Sequence, residues 1–526
     1  MFMRNIWVSV VFFLFFPLAG FAATQGLIVY GTAYETLIEY PEQGLNGEDL
    51  VDALSNARAK HPLSMTFDEL NEVADEVTRL YRRHGYKFHS VFVLPQKPLE
   101  GVVKFGVQVV TLGDVKILQA RDLDKKHIAS LFKPFLGKPL YQPDIDHLIR
   151  LLKQQRATTV VAFYSRGSKP GEMRLNIKVR QDKAIIAFHL DNYGNESTGE
   201  LRGITQLTWL SPFKRFDQLS LALMGTGSDH INAYGALTYS APLWNLNNSL
   251  NMSLSNNQFE LGESFSALEL KGEARIAVLD YTHTFVGTSH RHQKFIISAS
   301  SKTSDYDSIT NDSNLEQDEE TSNISLKWSA SYQFPSSLLQ TSLDIELVAG
   351  SYKIDGIMES TESFNKVSFN NQFRFTLGSP GKPWSTLLAS NLRGQYTTQQ
   401  VPSFEKILMS GAYGVRAFKS GFFAAERGAV LSIESHMLWL FNNVERGAAL
   451  SLTPFVLMDA AYGEKLLSNG HTFDKAVLSG IGLGLDIAWG SRSHLKITAA
   501  NDLHEAINSG LKAETMGLLM QLNYTY

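Results

Sequence analysis

The chain has no cysteine, which leaves it neither a disulfide framework nor a thiolate metal site. Its net charge is −4, without the positive excess that non-specific nucleic-acid binding needs. Beyond the first two dozen residues no run of 18 consecutive apolar residues occurs, so no later helix is expected to cross a membrane. The phosphate-cradling GxxxxGK(S/T) loop and the Gly-x-Ser-x-Gly nucleophile turn are both missing. Ser, His and Asp show no order that singles out a triad, and no enzyme is expected. The 14 histidines are scattered. Their tightest grouping, His290 and His292, shares one strand face at i, i+2, but no carboxylates cluster beside it. A solvated turn is the reading there, and neither a metal nor a cofactor is expected.

What is present begins with a targeting pattern. Arg4 precedes the apolar residues 6–19, and Gly20-Phe21-Ala22 supplies small residues for cleavage, so residues 1–23 read as a signal peptide. Aromatic residues make up 11% and mean hydropathy is −0.11, which suits a β-rich protein with interfacial rings. An exported chain without membrane helices still enters a membrane if it closes a barrel.

Residues 24–112 read as one helix-and-strand unit. A strand at 27–30 and a short helix at 47–61 come first. Thr66 and Glu69 then form a capping-box pattern, and Leu70, Val73, Ala74, Val77 and Leu80 recur at helical spacing up to Arg82, Arg83 and Gly85. Strands follow at 87–96 and 101–110. Tyr81, Tyr86, Phe88 and Val91 are read first as core and second as the lining of a groove for an extended client. Residues 113–181 repeat the architecture: a strand at 114–118, helices at 122–132 and 143–155, the latter with Pro143 in its first turn, and strands at 160–165 and 173–179.

The pattern changes near Asp182. From 184 to 526 short runs alternate polar and apolar residues between turns rich in Gly, Asn, Ser and Asp, the signature of a transmembrane β-barrel. At about 20 to 22 residues per strand and connection, this length makes roughly 16 antiparallel strands. The acidic stretch 304–323 is expected as a long external loop. In the last strand Leu518, Met520, Leu522, Tyr524 and Tyr526 fall on one face, with Leu519 the exception on the other. Within the barrel half lies the Gly-rich run from Gly411 to Gly428, with Arg416 and Phe418 near its centre. A guanidinium out of water needs an anionic partner. Asp459, 43 residues beyond Arg416 on a strand-like run, is the candidate. A loop around 405–430 that must reach a carboxylate on the wall is expected inside the barrel, tethered through that one contact.

These features resemble the two-partner secretion transporters, the TpsB or hemolysin secretion/activation family of the POTRA-plus-barrel superfamily. The likeness spans nearly the whole mature chain and rests on ordered motifs. They are Tyr81 to Tyr86, Val93-Leu94-Pro95-Gln96, Asp191-Asn192-Tyr193-Gly194 with Thr198-Gly199, and Tyr239-Ser240-Ala241-Pro242-Leu243. Gly414-Val415-Arg416-Ala417-Phe418 with Glu426-Arg427-Gly428, Pro454 to Asp459, and Ser479 to Leu485 complete the set. Ala417 stands where the family usually has Gly, so positive φ must be avoided there. Leu457 stands where an aromatic is more usual, which implies looser packing under the loop. The resemblance implies two POTRA units in the periplasm and a barrel in outer-membrane lipid, with the signature loop anchored by Arg416 on Asp459. Gly411, Gly414, Phe418 and Gly428 would shape the loop's turns. It implies export of one large partner exoprotein, received unfolded through the POTRA units and moved without ATP, and use of the barrel assembly machinery during biogenesis. No plug helix, or a very short one, is expected. The alternatives are an insertase of the same superfamily and, further off, a passive porin.

Overall fold

The computed structural model describes residues 27–29, 36–38, 66–95, 103–120, 123–194, 198–227, 232–260, 270–285, 290–310, 313–334, 338–355, 360–378, 385–443, 448–467, 470–509, 515 and 517–526. The signal segment, the expected helix at 47–61 and any plug helix lie outside them. The chain divides into two compact units, one of Met1–Lys116, Lys133–Ile145 and Phe163–Asn176, the other of Ile117–Phe132, Asp146–Ala162 and Ile177–Tyr526.

In the first unit the helix Phe67–Arg83 starts on a capping box, with Glu69 N–H donating to Thr66 Oγ1 at 3.3 Å and Thr66 N–H donating to the Glu69 carboxylate at 2.6 Å. Its apolar stripe of Val73, Ala74, Val77 and Tyr81 packs on Tyr86, Val91 and Phe105. Thr78 lies inside that stripe, where its hydroxyl accepts from Val91 N–H at 2.8 Å and ties helix to strand. The sheet order is Leu27–Val29, Thr36–Ile38, Val103–Gln108, Ser90–Val93. The last two strands are shorter than the runs 101–110 and 87–96 suggested.

This packing corrects the groove reading. Tyr81, on the inner face of the helix, and Tyr86 and Val91, packed beneath it, are buried core residues and do not line a surface groove. Phe88 is half-buried with its ring edge-on to Tyr164, centroids 4.9 Å apart. Beside them His89 is buried against the rings of Tyr81 and Tyr86, and burial lowers its pKa to about 4. An unfolded histidine titrates near 6.5, so the unfolded chain binds the extra proton between pH 6.5 and 4. The stability that neutral His89 gives is therefore complete above pH 6.5 and lost as pH falls toward 4, up to about 3 kcal/mol. Hydrogen exchange of the Phe67–Arg83 amides in the full chain, corrected for intrinsic rates, is expected to accelerate from pH 7 to pH 4.5. His89→Leu should abolish that pH dependence. An unchanged dependence in the variant would assign it to other groups.

Residues 111–181 form a three-stranded sheet, ordered Thr111–Ala120, Glu172–Gln181, Thr158–Arg166, with helices Lys125–Ser130 and Gln142–Lys153. Asp124 caps the shorter helix by accepting from Lys126 N–H at 2.8 Å.

Among the described residues sixteen antiparallel strands close into one barrel, from Ala184–Asp191 to Gly517–Thr525. Closure pairs Gln521 with Asp191 through Thr525 with Ala187. The period of two sorts the wall. On Ala448–Leu466, Val456 and Met458 are each 51% exposed while Leu457 and Asp459 are buried. The exposed set, with Leu223, Leu254, Ile297, Ile324, Leu347 and Leu483, makes an apolar outer belt suited to lipid. Leu519, the exception on the last strand, is buried on the bore side between exposed Leu518 and Met520.

The acidic stretch 304–323 is not a loop. It forms the turn-side part of a hairpin between Arg291–Thr310 and Ser313–Phe334, paired in register from Arg291 with Tyr332 to Thr310 with Ser313. These strands of 20 and 22 residues are about twice the ~10 residues that cross a bilayer. Polar composition marked solvent rather than the end of the ladder, because strand pairing satisfies the backbone in water as well as in lipid.

Candidate functional site

Between the wall strands Ser385–Tyr396 and Arg427–Asn443 the chain folds back onto the bore side of the barrel. The segment is held by its own hydrogen bonds. A 3-10 turn at Ser403–Glu405 leads into a two-stranded ribbon, Ile407–Leu408 with Ala424–Ala425. Beyond it Met409 N–H donates to Phe423 O at 2.9 Å, Val415 N–H to Met409 O at 2.9 Å and Gly414 N–H to Gly411 O at 2.9 Å. Gly411 and Gly421 take the positive φ values, +88° and +80°, and Ala417 does not. Val415, Ala417 and Phe418 are fully buried with Met409, Phe423, Ala425 and the inward wall residues Val430, Ala461, Ala476, Leu478 and Ala500. Phe418 also pairs with Thr515 by a single β-bridge, and Gly428 opens the next wall strand against the backbone of Tyr462.

The glycine run 479–485 explains how this segment fits. On Thr472–Trp489 the glycines face inward, and a Cβ on Gly480 would sit 2.8 Å from the Ala417 methyl and 3.3 Å from Val415. A smooth patch of wall thus receives the loop's small apolar residues. Leu457, expected to pack loosely, is 2% exposed.

At the centre of the loop the structure brings Arg416 and Asp459 together. Arg416 Nε donates to Asp459 Oδ2 at 2.8 Å, Nη2 to Oδ1 at 2.7 Å, and the Arg416 main-chain N–H to Oδ2 at 3.1 Å. Nη2 also donates to Ser432 Oγ at 2.7 Å, and Nη1 to the Glu434 carboxylate. Strand register places these acceptors side by side, since Ser432 lies opposite Asp459 and Glu434 opposite Leu457. Asp459 is 0% and Arg416 8% exposed, so the fork of donors and two carboxylates replace water almost completely. Glu434 in turn accepts from His436 Nε2 at 2.7 Å, and that ring stacks on Phe455, 4.8 Å between centroids.

The expected single tether is therefore one of several. At the loop's stem Glu405, 5% exposed, accepts from Lys302 and Asn323 and pairs with Lys366 Nζ at 2.7 Å. Ser403 Oγ donates to Glu319 at 3.1 Å. On the return leg Glu426 pairs with Lys406 at 2.9 Å and accepts Leu466 N–H at 3.0 Å. Lys302, Glu319, Lys366 and Glu405 carry no local sequence signal, because their partners lie on strands up to 103 residues away. Glu405→Gln is expected to leave two buried ammonium groups short of charge and to loosen the stem, at a cost of about 3–5 kcal/mol. Protease cleavage within 403–426 of the folded barrel should accelerate at least tenfold. Adding Lys302→Met and Lys366→Met to Glu405→Met should restore much of the protection. Unaltered cleavage in Glu405→Gln would show that the stem pairs hold nothing.

The opening motif of the barrel sits at its closing seam. Asp191 is buried and accepts from Arg202 Nε at 2.8 Å, His189 Nε2 at 2.7 Å and Tyr193 N–H at 2.9 Å. Asn192 imitates a strand residue, donating from Nδ2 to Leu518 O at 2.9 Å and accepting Met520 N–H at 2.8 Å. Tyr193 meets the loop residue Tyr413 edge-on at 6.2 Å. His292, by contrast, meets Gln154 at 3.1 Å, and no three metal-ligating side chains converge among the described residues.

The model of the haemolysin secretion/activation protein ShlB/FhaC/HecB family matches residues 171–487. The heme/hemopexin transporter protein HuxB of Haemophilus influenzae is 19% identical over 494 residues, covering 90% of this chain and 84% of that protein. Among solved structures, CdiB from Escherichia coli superposes with a TM-score of 0.73 at 15% identity, covering 98% of this chain and 93% of that one. CdiB from Acinetobacter baumannii gives 0.66 at 17%, covering 97% and 93%. BamA from Haemophilus ducreyi lacking POTRA domains 1-3 gives 0.54 at 13%, covering 95% and 100%, a likeness of fold alone.

Proposed function

The chain belongs to the haemolysin secretion/activation protein family, the two-partner secretion transporters of the outer membrane, and from that premise we propose how it moves its exoprotein. The partner is one large polypeptide that arrives unfolded on the periplasmic side, where both helix-and-strand units stand. Those units, residues 24–112 and 113–181, receive it by adding its extended segments to sheet edges. Such contacts are many and individually weak, so the chain slides. It then passes through the bore, where the Arg416 loop yields space. No nucleotide takes part; folding of the exoprotein outside prevents return. The barrel itself reaches the membrane through the barrel assembly machinery.

The observation that carries this reading is the seated loop: a self-bonded segment bound to the bore wall through polar contacts at its stem and centre. The polar contacts can be exchanged for others, and the loop's buried apolar tip of Val415, Ala417 and Phe418 leaves the wall with them. The test is secretion. A large exoprotein co-expressed with this chain is expected at the cell surface or in the medium, and to accumulate in the periplasm without the chain. If export proceeds equally without it, the insertase reading takes over, and assembly of other barrels becomes the assay.

A further inference from the structure

Resting on that export reading, we propose that one strip of the bore wall is a binding track for polypeptide main chain, occupied at rest by the loop and by the exported chain once the loop shifts. The strip consists of Arg393 and Gln395 on Ser385–Tyr396, and Lys366 on the adjacent strand Ser360–Leu377. Their contacts to the loop converge on carbonyl oxygens. Arg393 Nη2 donates to Leu408 O at 2.7 Å and also to Tyr413 O. Gln395 Nε2 donates to Glu405 O at 2.7 Å and to Glu426 O at 2.9 Å. Lys366 Nζ donates to Glu405 O at 2.9 Å, besides pairing with the Glu405 carboxylate.

Arg393 is the informative member. Arg416, on the loop, is matched by two carboxylates, whereas Arg393, on the wall, has no ion pair among the described residues and spends its guanidinium on neutral main chain. A residue selected only to anchor the loop gains more from a carboxylate. Donors aimed at carbonyls suit a partner whose side chains vary but whose backbone does not. Spacing agrees. Residues 393 and 395 stand two apart on a strand, about 6.8 Å, and an extended chain presents carbonyls on one edge at the same interval. Room flanks the strip: Arg393 lines two recesses, one with Arg374, Asn391 and Tyr413, the other with Asn370 and Lys406.

The experiment uses the full chain in planar bilayers and, as probe, an uncharged 20-residue Gly/Ser/Thr peptide on the periplasmic side. The comparison probe is the same peptide with alternate amides replaced by esters, whose carbonyls accept hydrogen bonds more weakly. Arg416→Ala supplies the loosened loop. In that variant the amide peptide is expected to interrupt the current, and the ester peptide to do so for about tenfold shorter times. Adding Arg393→Met and Gln395→Leu should shorten the amide blocks to the ester's duration and erase the difference between probes. Arg416→Ala with Gln395→Glu, which turns a donor into an acceptor at nearly constant size, should act in the same direction and guards against a wall variant that fails to fold. Equal block times for both probes in Arg416→Ala, or for both wall compositions, overturn the track while leaving export standing. An absence of blocks in Arg416→Ala overturns the track and counts against passage through the bore. The secretion assay on the unaltered chain judges the export reading separately.

Discussion

An Asp459→Ala variant is expected to assemble as a barrel and to lose control of its bore. Asp459 accepts three of the Arg416 donors: the main-chain N–H, Nε and Nη2. Alanine leaves the guanidinium with Glu434 and Ser432 alone, in a site almost closed to water. Removing one partner of such a buried pair costs about 3–5 kcal/mol, chiefly because the other charge stays buried. That amount shifts a seated loop toward the released state by roughly 10² to 10⁴-fold. Resting conductance in planar bilayers should rise and become erratic, and secretion of the co-expressed exoprotein should fall. Unchanged heat-modifiable migration would show that the barrel is intact. Arg416→Lys should resemble the alanine variant, since one ammonium cannot bridge two carboxylates and a hydroxyl as the planar fork does. Wild-type conductance in Asp459→Ala would mean that this contact does not hold the loop.

A Gly414→Val variant should disturb the loop as severely, by sterics instead of charge. A Cβ on Gly414 would run into the main-chain carbon and oxygen of Met409. The obstacle is backbone, and it cannot move without breaking the Val415 N–H to Met409 O bond that forms the turn. Relief requires the tip to unfold, releasing Val415, Ala417 and Phe418 from the wall. The lack of native cysteine makes this easy to read. Ala417→Cys places one thiol at a fully buried site, and its maleimide reaction in the folded barrel should accelerate at least tenfold when Gly414→Val is added. Gly421→Ala is the contrast. Its added methyl meets nothing within 4 Å, and only the +80° φ is strained, costing about 1 kcal/mol. Equal labelling in Gly414→Val and wild type would show that the turn tolerates the bulk.

The two variants also locate what the chain discloses in one dimension. The helix Phe67–Arg83 was legible to within a residue or two because its cap, its stripe and its terminal charges are local. The barrel was legible because lipid and bore impose a strict period of two, and even Leu519 broke that period where the buried face required it. The hairpin through 304–323 is not legible in the sequence because composition reports solvent, not pairing. Tyr81, Tyr86 and Val91 lie open between core and groove in the sequence, since aromatic and aliphatic residues at strand and helix ends suit either, and only the packing of helix on sheet chooses.

Alternation, capping and the isolated arginine among glycines thus follow from the order of residues, because each reflects forces acting within a few positions. Which groups surround that arginine was settled by closing the wall. Register set Ser432 beside Asp459 and Glu434 beside Leu457, and the curvature of sixteen strands carried Lys302 and Lys366 to Glu405. Charges so distant along the chain meet only when the cylinder brings their strands to one bore, so the network that holds the loop is a property of the closed barrel.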